Sequence, residues 1–189
     1  MSQGLSVTLK ILATTRNEAA VDVLVRGLGS DDAAIRDGSL ASCLERRSPA
    51  AHLEVLRRLD QLDAASCEAL ADKGGRISQA LREAVLDADD EMCVNGCRMA
   101  LLVREFDLIP LLAKGVQDPD VLHRELLART LRELAALLYD ELVDPTEAVR
   151  NRRDRRDPQL MRQHVTGALE SAVQAFGRHR LDEMIRPSP

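Results

Sequence analysis

The chain has 189 residues, of which 45% are apolar and 30% are charged, so it is long enough to bury a core and is not a disordered segment. Aromatic residues make up only 2%, which leaves Leu, Ala, Val and Ile to form that core and favours an all-α fold. The net charge is −5 but uneven, because residues 1–144 carry 17 Lys and Arg against 25 Asp and Glu (−8) and residues 145–189 carry 9 against 6 (+3).

Helix-start signals divide the chain into short segments. A capping side chain precedes a proline at Ser48-Pro49, Asp118-Pro119, Asp144-Pro145 and Asp157-Pro158. Asp31 and Asp89 can cap helices without a proline, and Gly74-Gly75 separates two helical patterns. Reading outward from these signals predicts helices at 4–14, 18–28, 31–46, 49–59, 63–72, 77–87, 90–104, 108–116, 120–143 and 158–178.

An apolar residue followed by acidic turn residues recurs four times at junctions between these helices. The four segments end at Asp32, Asp63, Asp90 and Asp120, so their spacings are 31, 27 and 30 residues. A period of this size indicates stacked helix pairs. We call the first helix of each pair A and the second B. Short connections make consecutive helices antiparallel neighbours, and the apolar spacing gives each helix one buried stripe.

The fourth of these units, Asp107 to Leu131, resembles a HEAT repeat of the short, roughly thirty-residue kind found in phycobilisome-lyase-like proteins. The units at 21–44 and 81–102 are similar, the latter with Asn95 near the expected Arg. The unit at 53–70 departs most, since Cys67-Glu68 stands in that place. The resemblance covers residues 18–143 and implies a right-handed α-solenoid of about four helix-pair repeats, which we assign to residues 1–144.

The resemblance also implies a structural role for one acid and one base in each repeat. In this family the turn Asp and the B-helix Arg commonly link neighbouring repeats. Carried over, Asp32, Asp120, Arg36 and Arg124 form an inter-repeat ladder. The second repeat lacks the Arg, which predicts a weaker joint there.

The repeat pattern ends after Asp144. An apolar helical pattern at 158–178 is expected to cap the open end of the solenoid, so residues 145–189 are interpreted as a basic linker and a C-terminal capping helix. An arginine cluster in the linker can neutralise phosphates, which makes nucleic-acid binding an alternative function. Acids inside the cluster and the lack of interleaved aromatics favour a solvated charge run. The cluster consists of Arg150, Arg152, Arg153, Arg155 and Arg156.

Cellular location is inferred from the absence of targeting signals. No apolar run is long enough to span a membrane, and Met1 is not followed by a signal-peptide pattern. We therefore expect a cytoplasmic protein that does not contact membranes. The cysteines lie in apolar helical contexts, which predicts reduced, buried thiols. They are Cys43, Cys67, Cys93 and Cys97.

The sequence contains little evidence for a metal site or a catalytic site. Cys93 and Cys97 share a helix face and offer two zinc ligands, but no Cys-x-x-Cys pair or nearby His completes a site. The four histidines show no shared spacing. The acidic pairs recur once per repeat at helix starts, which is typical of capping rather than of a unique catalytic site. We therefore predict no catalytic residue, no metal and no cofactor.

The predicted function is a non-catalytic scaffold that binds another protein on a concave surface lined by B helices. The acidic array favours a partner with a basic segment. Some HEAT-like families are enzymes, namely certain DNA glycosylases and bilin lyases, so a lyase-like accessory enzyme is a second alternative, although no motif beyond the repeat supports it. The B-helix positions expected to face the partner are Asp37, Leu40, Arg98, Met99, Glu125 and Arg129.

Overall fold

A computed structural model describes residues 2–71, 74–143 and the single positions 163, 166, 167, 170 and 173. Every regular element in these ranges is helical, which confirms the all-α prediction for this part of the chain. The α-helices are α1 (Gln3–Thr14), α2 (Ala19–Leu28), α3 (Ala33–Glu45), α4 (Pro49–Arg57), α5 (Ala64–Ala71), α6 (Ser78–Ala84), α7 (Asp90–Leu102), α8 (Ile109–Gln117) and α9 (Arg124–Val143). Short 3₁₀ turns cover Leu59–Gln61, Gly74–Arg76 and Phe106–Leu108.

The helix starts are set by backbone capping, and the predicted cap at Asp89 is correct. Asp32 accepts hydrogen bonds from the amides of Ala34 (2.8 Å) and Ile35 (3.4 Å), and Asp89 accepts one from the amide of Met92 (2.9 Å). These bonds satisfy amides that have no partner inside the helix. The prediction that Asp31 caps a helix is wrong, because Asp32 takes that position.

The start of α9 is the largest error in the predicted boundaries. Asp118 does not open a helix but ends α8, and its carboxylate accepts from the amide of Asp120 (3.0 Å). That bond stabilises a turn, which delays α9 until Arg124. The predicted caps at Asp144 and Asp157, and most of the predicted 158–178 helix, lie outside the described residues.

Two compact units divide the chain, Met1–Val103 and Arg104–Pro189. The predicted boundary at 144/145 falls outside the described residues and stays a prediction. In the second unit, α8 packs against α9, and both contact the 3₁₀ turn at Phe106–Leu108. Its buried side chains include Phe106, Leu112 and Leu127.

Helix pairs stack on one another within the first unit. Helix α4 packs against both α2 and α6, which are the first helices of the pairs before and after it. It also contacts α3 and α7, so its apolar side chains face neighbours on several sides. Val55 and Leu56 of α4 are fully buried as a result. Helix α1 packs mainly against α3 and also contacts α2.

Small residues let the helices of a pair approach closely. A Cβ placed on Gly27 of α2 would lie 2.1 Å from the Ser39 hydroxyl of α3. The positions 57 residues after Gly27 and Ser39 are Ala84 of α6 and Gly96 of α7. A Cβ on Gly96 would lie 2.9 Å from the Ala84 Cβ. Each of the two pairs thus has a close contact at the equivalent position. The glycine lies on the first helix in one pair and on the second helix in the other.

The Gly96 contact predicts a stability difference between two glycine substitutions. Gly96→Ala adds a methyl group 3.0 Å from the backbone nitrogen of Val85, so the helices must separate. Overpacking of this kind costs about 1–3 kcal/mol, and the better helix propensity of Ala offsets about 1 kcal/mol of it. Gly4→Ala meets nothing within 4 Å. We expect urea unfolding to show lower stability for Gly96→Ala and unchanged or higher stability for Gly4→Ala. Equal stability of the two variants would contradict the tight contact.

Candidate functional site

The six residues expected to face a partner do not all reach the surface. Asp37, Arg98, Glu125 and Arg129 are exposed. Leu40 and Met99 are buried, with 2% and 0% of their surface exposed, so their assignment to an exposed face is wrong. The reason is that α3 packs against α1, α2, α4 and α5, and α7 packs against α4 and α6, which leaves each helix only a narrow exposed stripe.

The exposed stripes of the B helices follow a spacing of about one helical turn. On α7 the exposed positions include Val94 (40% exposed) and Arg98. The stripes on α3 and α5 consist of alanines and acids. Their members are Ala33, Asp37, Ala41 and Glu45 on α3, and Ala64, Ala65, Glu68 and Ala69 on α5. These positions are available to a partner because they take no part in the core.

One rung of the predicted ladder joins the first two helix pairs. Arg36 of α3 lies 3.6 Å from the carboxylate of Asp63, which precedes α5, and donates to the carbonyl of Ser30 (3.3 Å). The amide of Ser66 donates to Asp63 (2.8 Å). This bond, together with the Ser66 hydroxyl and Arg36, holds the pKa of Asp63 below its ordinary value.

The other ladder residues make their described contacts within their own helix pair. Asp32 caps α3, the amide of Asp120 bonds to Asp118, and Arg124 donates to the carbonyl of Val116 (3.1 Å). Asp32 therefore makes no ladder contact among the described residues, and for Asp120 and Arg124 the ladder stays a prediction. The second and third helix pairs, between which the missing arginine predicts a weaker contact, are linked by a different ion pair. Arg98 of α7 contacts Asp60 in the turn after α4.

A buried arginine at the end of α3, Arg46, makes several polar contacts, and no repeat pattern in the sequence points to it. The Arg46 side chain is 5% exposed. It donates to the carbonyls of Leu12 (2.8 Å), Thr15 (2.7 Å) and Asn17 (2.8 Å) and to the Glu18 carboxylate (3.1 Å). It thereby satisfies carbonyls at and beyond the end of α1, where the helix dipole is negative.

Replacing this arginine tests how much its contacts with the end of α1 contribute to stability. We call this set of contacts around Arg46 the corner. Arg46→Met keeps the aliphatic stem but leaves three carbonyls without their charged donor, so we expect a loss of about 3 kcal/mol in the free energy of unfolding. Arg47→Met is the matched control, because Arg47 is exposed and a surface change should alter stability by less than about 0.5 kcal/mol. Similar urea midpoints for the two variants would show that the Arg46 bonds add little.

His52 lies beside this corner and is buried, with 4% of its surface exposed. Burial lowers the pKa of His52, and hydrogen bonding to the backbone of Cys43 and Arg46 partly opposes that shift. Its Nε2 atom has no hydrogen-bond partner among the described residues. The imidazole is therefore held neutral inside the helix packing, which supports a structural role for it.

The lowered pKa of His52 predicts a loss of stability in mild acid. Below about pH 6.5 the unfolded chain takes up a proton that the folded chain does not, so stability falls with pH until the lower folded pKa is reached. His52→Gln should flatten the decline of the urea midpoint between about pH 7.5 and 5 relative to the wild type. Asp63 acts in a separate window, because a lowered carboxylate pKa matters only below about pH 4. An unchanged slope in His52→Gln would contradict the assignment.

The cysteines are free thiols, and their burial is correctly predicted for three of the four. Cys43, Cys93 and Cys97 are buried, whereas Cys67 is half-buried. Burial raises the pKa of the Cys43 thiol to about 11, and a hydrogen bond with Cys97 together with burial raises the pKa of Cys93. The Cys93 thiol donates to the carbonyl of Val85 (3.3 Å). The Cys43 and Cys93 thiols therefore stay protonated at neutral pH, which makes them poor nucleophiles and poor metal ligands.

Cys93 and Arg124 make similar contacts within their helix pairs. Each donates to a carbonyl eight residues earlier, Cys93 to that of Val85 and Arg124 to that of Val116, and the two donors lie 31 residues apart. Asn95 is fully buried, and neither polar atom of its side chain has a hydrogen-bond partner among the described residues.

Three further observations concern metal binding, membrane spans and the arginine cluster. Within the described ranges no group of three or more His, Cys, Asp or Glu side chains is arranged to hold a metal ion. No described helix combines the length and apolar character needed to cross a membrane. The arginine cluster proposed for nucleic acid, Arg150 to Arg156, lies outside the described residues.

No protein-family model matches this chain, and no curated protein matches it at a significant level.

Proposed function

We propose that this protein is a non-catalytic interaction module, built from HEAT-like helix pairs, that binds a segment of another protein on the exposed stripes of its B helices. The observation that carries this proposal is that α3 and α7 are each packed on several sides and exposed along one stripe. Most faces of these helices are used for packing, and one narrow stripe on each is left for contact with a partner. Extended, preshaped surfaces of this kind are how helical-repeat proteins bind.

The roles of the ionisable side chains support the non-catalytic part of the proposal. The recurring carboxylates of Asp32, Asp63 and Asp89 accept from backbone amides at helix starts. Arg46 and His52 belong to the buried corner between α3 and α4. A catalytic group needs access to a substrate, and these groups are instead engaged in holding helix ends.

The charge distribution supports a basic partner. Residues 1–144 carry a net charge of −8 from 17 Lys and Arg against 25 Asp and Glu. A field of one sign speeds the encounter with a segment of opposite charge, mostly through the association rate. We therefore propose recognition through an acidic surface, in a cytoplasmic protein, with no bond-making step.

Charge reversal on the stripes tests this proposal. Asp37→Lys in the first unit and Glu125→Lys in the second each change one exposed B-helix acid. We expect each to reduce recovery of a bound protein from native lysate by roughly five-fold, as loss of an exposed charge contact is worth about 1 kcal/mol, without a change in thermal unfolding. Asp22→Lys on the A helix α2 is the matched control and should retain binding.

The same purification separates the proposal from its alternatives. Recovery that is equal for wild type, Asp37→Lys and Glu125→Lys would refute the B-helix surface. Copurified nucleic acid that dissociates in high salt, and that disappears when Arg152, Arg153, Arg155 and Arg156 become Ala, would establish the nucleic-acid function instead. A ratio of absorbance at 260 and 280 nm on the eluate distinguishes the two results directly.

A further inference from the structure

One valine of the first helix pair is exposed where the equivalent residue of the third pair is buried. A shift of 57 residues places the cap Asp32 on the cap Asp89 and the buried positions of α2 on those of α6. The matched buried positions are Ala20 and Ile77, Leu24 and Leu81, and Leu28 and Val85. Under the same shift Val23 matches Ala80, yet Val23 is 53% exposed and Ala80 is fully buried.

Helix α4 accounts for this difference. Each pair contains its second helix, α3 or α7, so the second helix is not what covers the position. Helix α4 comes before the third pair and packs on both α6 and α7, so it covers Ala80. The first pair has no such helix in front of α2 among the described residues. Val23 therefore lies on the floor of a space on the N-terminal side of α2, which we call the recess.

Helix α1 stands beside the recess because it packs mainly on α3. The Ser42 hydroxyl donates to the carbonyl of Leu9 (3.3 Å), and Arg46 donates to that of Leu12 (2.8 Å). These contacts advance in the same direction along both helices, so α1 runs parallel to α3. It therefore forms a ridge in front of α3, next to the uncovered front of α2.

The crest of this ridge is apolar and uncharged. Val7 and Ile11 each lie two residues from the buried Leu9, so they are turned about 200° away from it, to the outer side of α1. They are 53% and 60% exposed. Lys10 is the one charged residue of α1, in a chain of which 30% is charged. The end of a helical array needs a polar outer surface to stay free in solution, so this apolar end indicates a contact surface.

The ridge and the recess match in position along the helix axes. Helices α1 and α2 contact each other across a short connection and run antiparallel. At about 1.5 Å per residue, Ile11 and Val7 lie about 4.5 and 10.5 Å before the end of α1, and Val23 lies about 6 Å after the start of α2. A two-fold axis parallel to these helices preserves the levels and exchanges the sides. It therefore places the ridge of one copy over the recess of another.

We propose that the N-terminal end of the array is a two-fold self-association surface, in which Val7 and Ile11 of each copy pack on Val23 of the other. A ridge beside a recess is complementary to itself under such an axis, and the same patch serves both copies. The charge also favours this end, because copies of net charge −5 repel each other and α1 carries no acid. The inference is independent of the proposed function, because it uses α1 and α2 and not the B-helix stripes.

The size of the surface sets the strength of the association. Helices α1 and α2 have 12 and 10 residues, so they are about 18 and 15 Å long and offer roughly 330 Å² of projected area per copy. A standard stable interface buries about 800 Å² per partner, which places this contact among the weak ones. We therefore expect a dissociation constant on the order of tens of micromolar.

Analytical ultracentrifugation of the full chain tests the inference. We expect the mean mass to rise from 20.8 kDa toward twice that value as the concentration increases from about 5 to 500 µM. It should level off there, because a two-fold contact closes on itself. Ile11→Glu and Val23→Lys each place a charge in an apolar contact twice per dimer, so each should raise the dissociation constant by about ten-fold or more.

A control and a mixture locate the contact. Leu86→Lys is the matched control, because Leu86 is 42% exposed in the turn after α6 and should leave the association unchanged. An equal mixture of Ile11→Glu and Val23→Lys should associate again. One of its two contacts then joins the introduced carboxylate to the introduced ammonium group, and the other keeps the original apolar pair. Circular dichroism confirms that all variants are folded.

The results separate the inference from its alternatives. Association that each single variant loses, that Leu86→Lys retains and that the mixture restores supports it. A wild type that stays monomeric up to about 500 µM overturns it. Equal weakening by Leu86→Lys, a mass that rises past the dimer, or a mixture that stays monomeric also overturns it. If the wild type is monomeric while a lysate protein is recovered only with Ile11 and Val23 intact, the surface binds another protein and the second copy is the wrong occupant.

Discussion

The Arg46 guanidinium is a buried cation that holds three backbone carbonyls and one carboxylate between α1, the connection to α2, and the end of α3. Burying such a charge costs several kcal/mol unless its donors find good acceptors, and here the two terminal nitrogens do so while Nε has no partner among the described residues. The corner then extends along the chain, since Glu18 also accepts from the Ser48 hydroxyl (3.3 Å). Ser48 in turn begins α4, the helix on which the neighbouring pairs pack.

Beyond this corner, the helix pairs of the first unit are held by contacts that need particular small or charged residues at a few positions. The Gly27–Ser39 and Gly96–Ala84 contacts bring the helices of a pair together. Two ion pairs to a single turn, at Asp60 and Asp63, then link α7 and α3 to the second pair. Because neighbours cover most sides of α3 and α7, what remains exposed is a stripe about one residue wide per turn.

The sequence predicts the helices well because their signals are local, and it predicts the surface less well because exposure depends on neighbours. Asp89 is recognisable as a cap from the residues beside it, whereas at the start of α3 two adjacent aspartates leave the cap uncertain by one residue. Leu40 and Met99 were assigned to the surface since one buried stripe per helix was assumed, whereas these helices are packed on several sides. Arg46 was missed for a related reason: its acceptors lie some thirty residues earlier, and no spacing rule connects them.

The acids at the helix starts and the exposed acids on the B helices differ in what they contact. Asp32, Asp63 and Asp89 are occupied by backbone amides, and reversing their charge would damage helix starts before it affected any partner. Within the described residues, Glu45 and Glu68 do not accept from backbone amides at helix starts. They lie on the exposed stripes of α3 and α5, which carry no large apolar side chain. A protein gains no folding stability from like charges gathered on one surface. Their side chains are therefore accessible to a partner of the proposed kind, whereas those of the recurring turn acids are occupied by the fold.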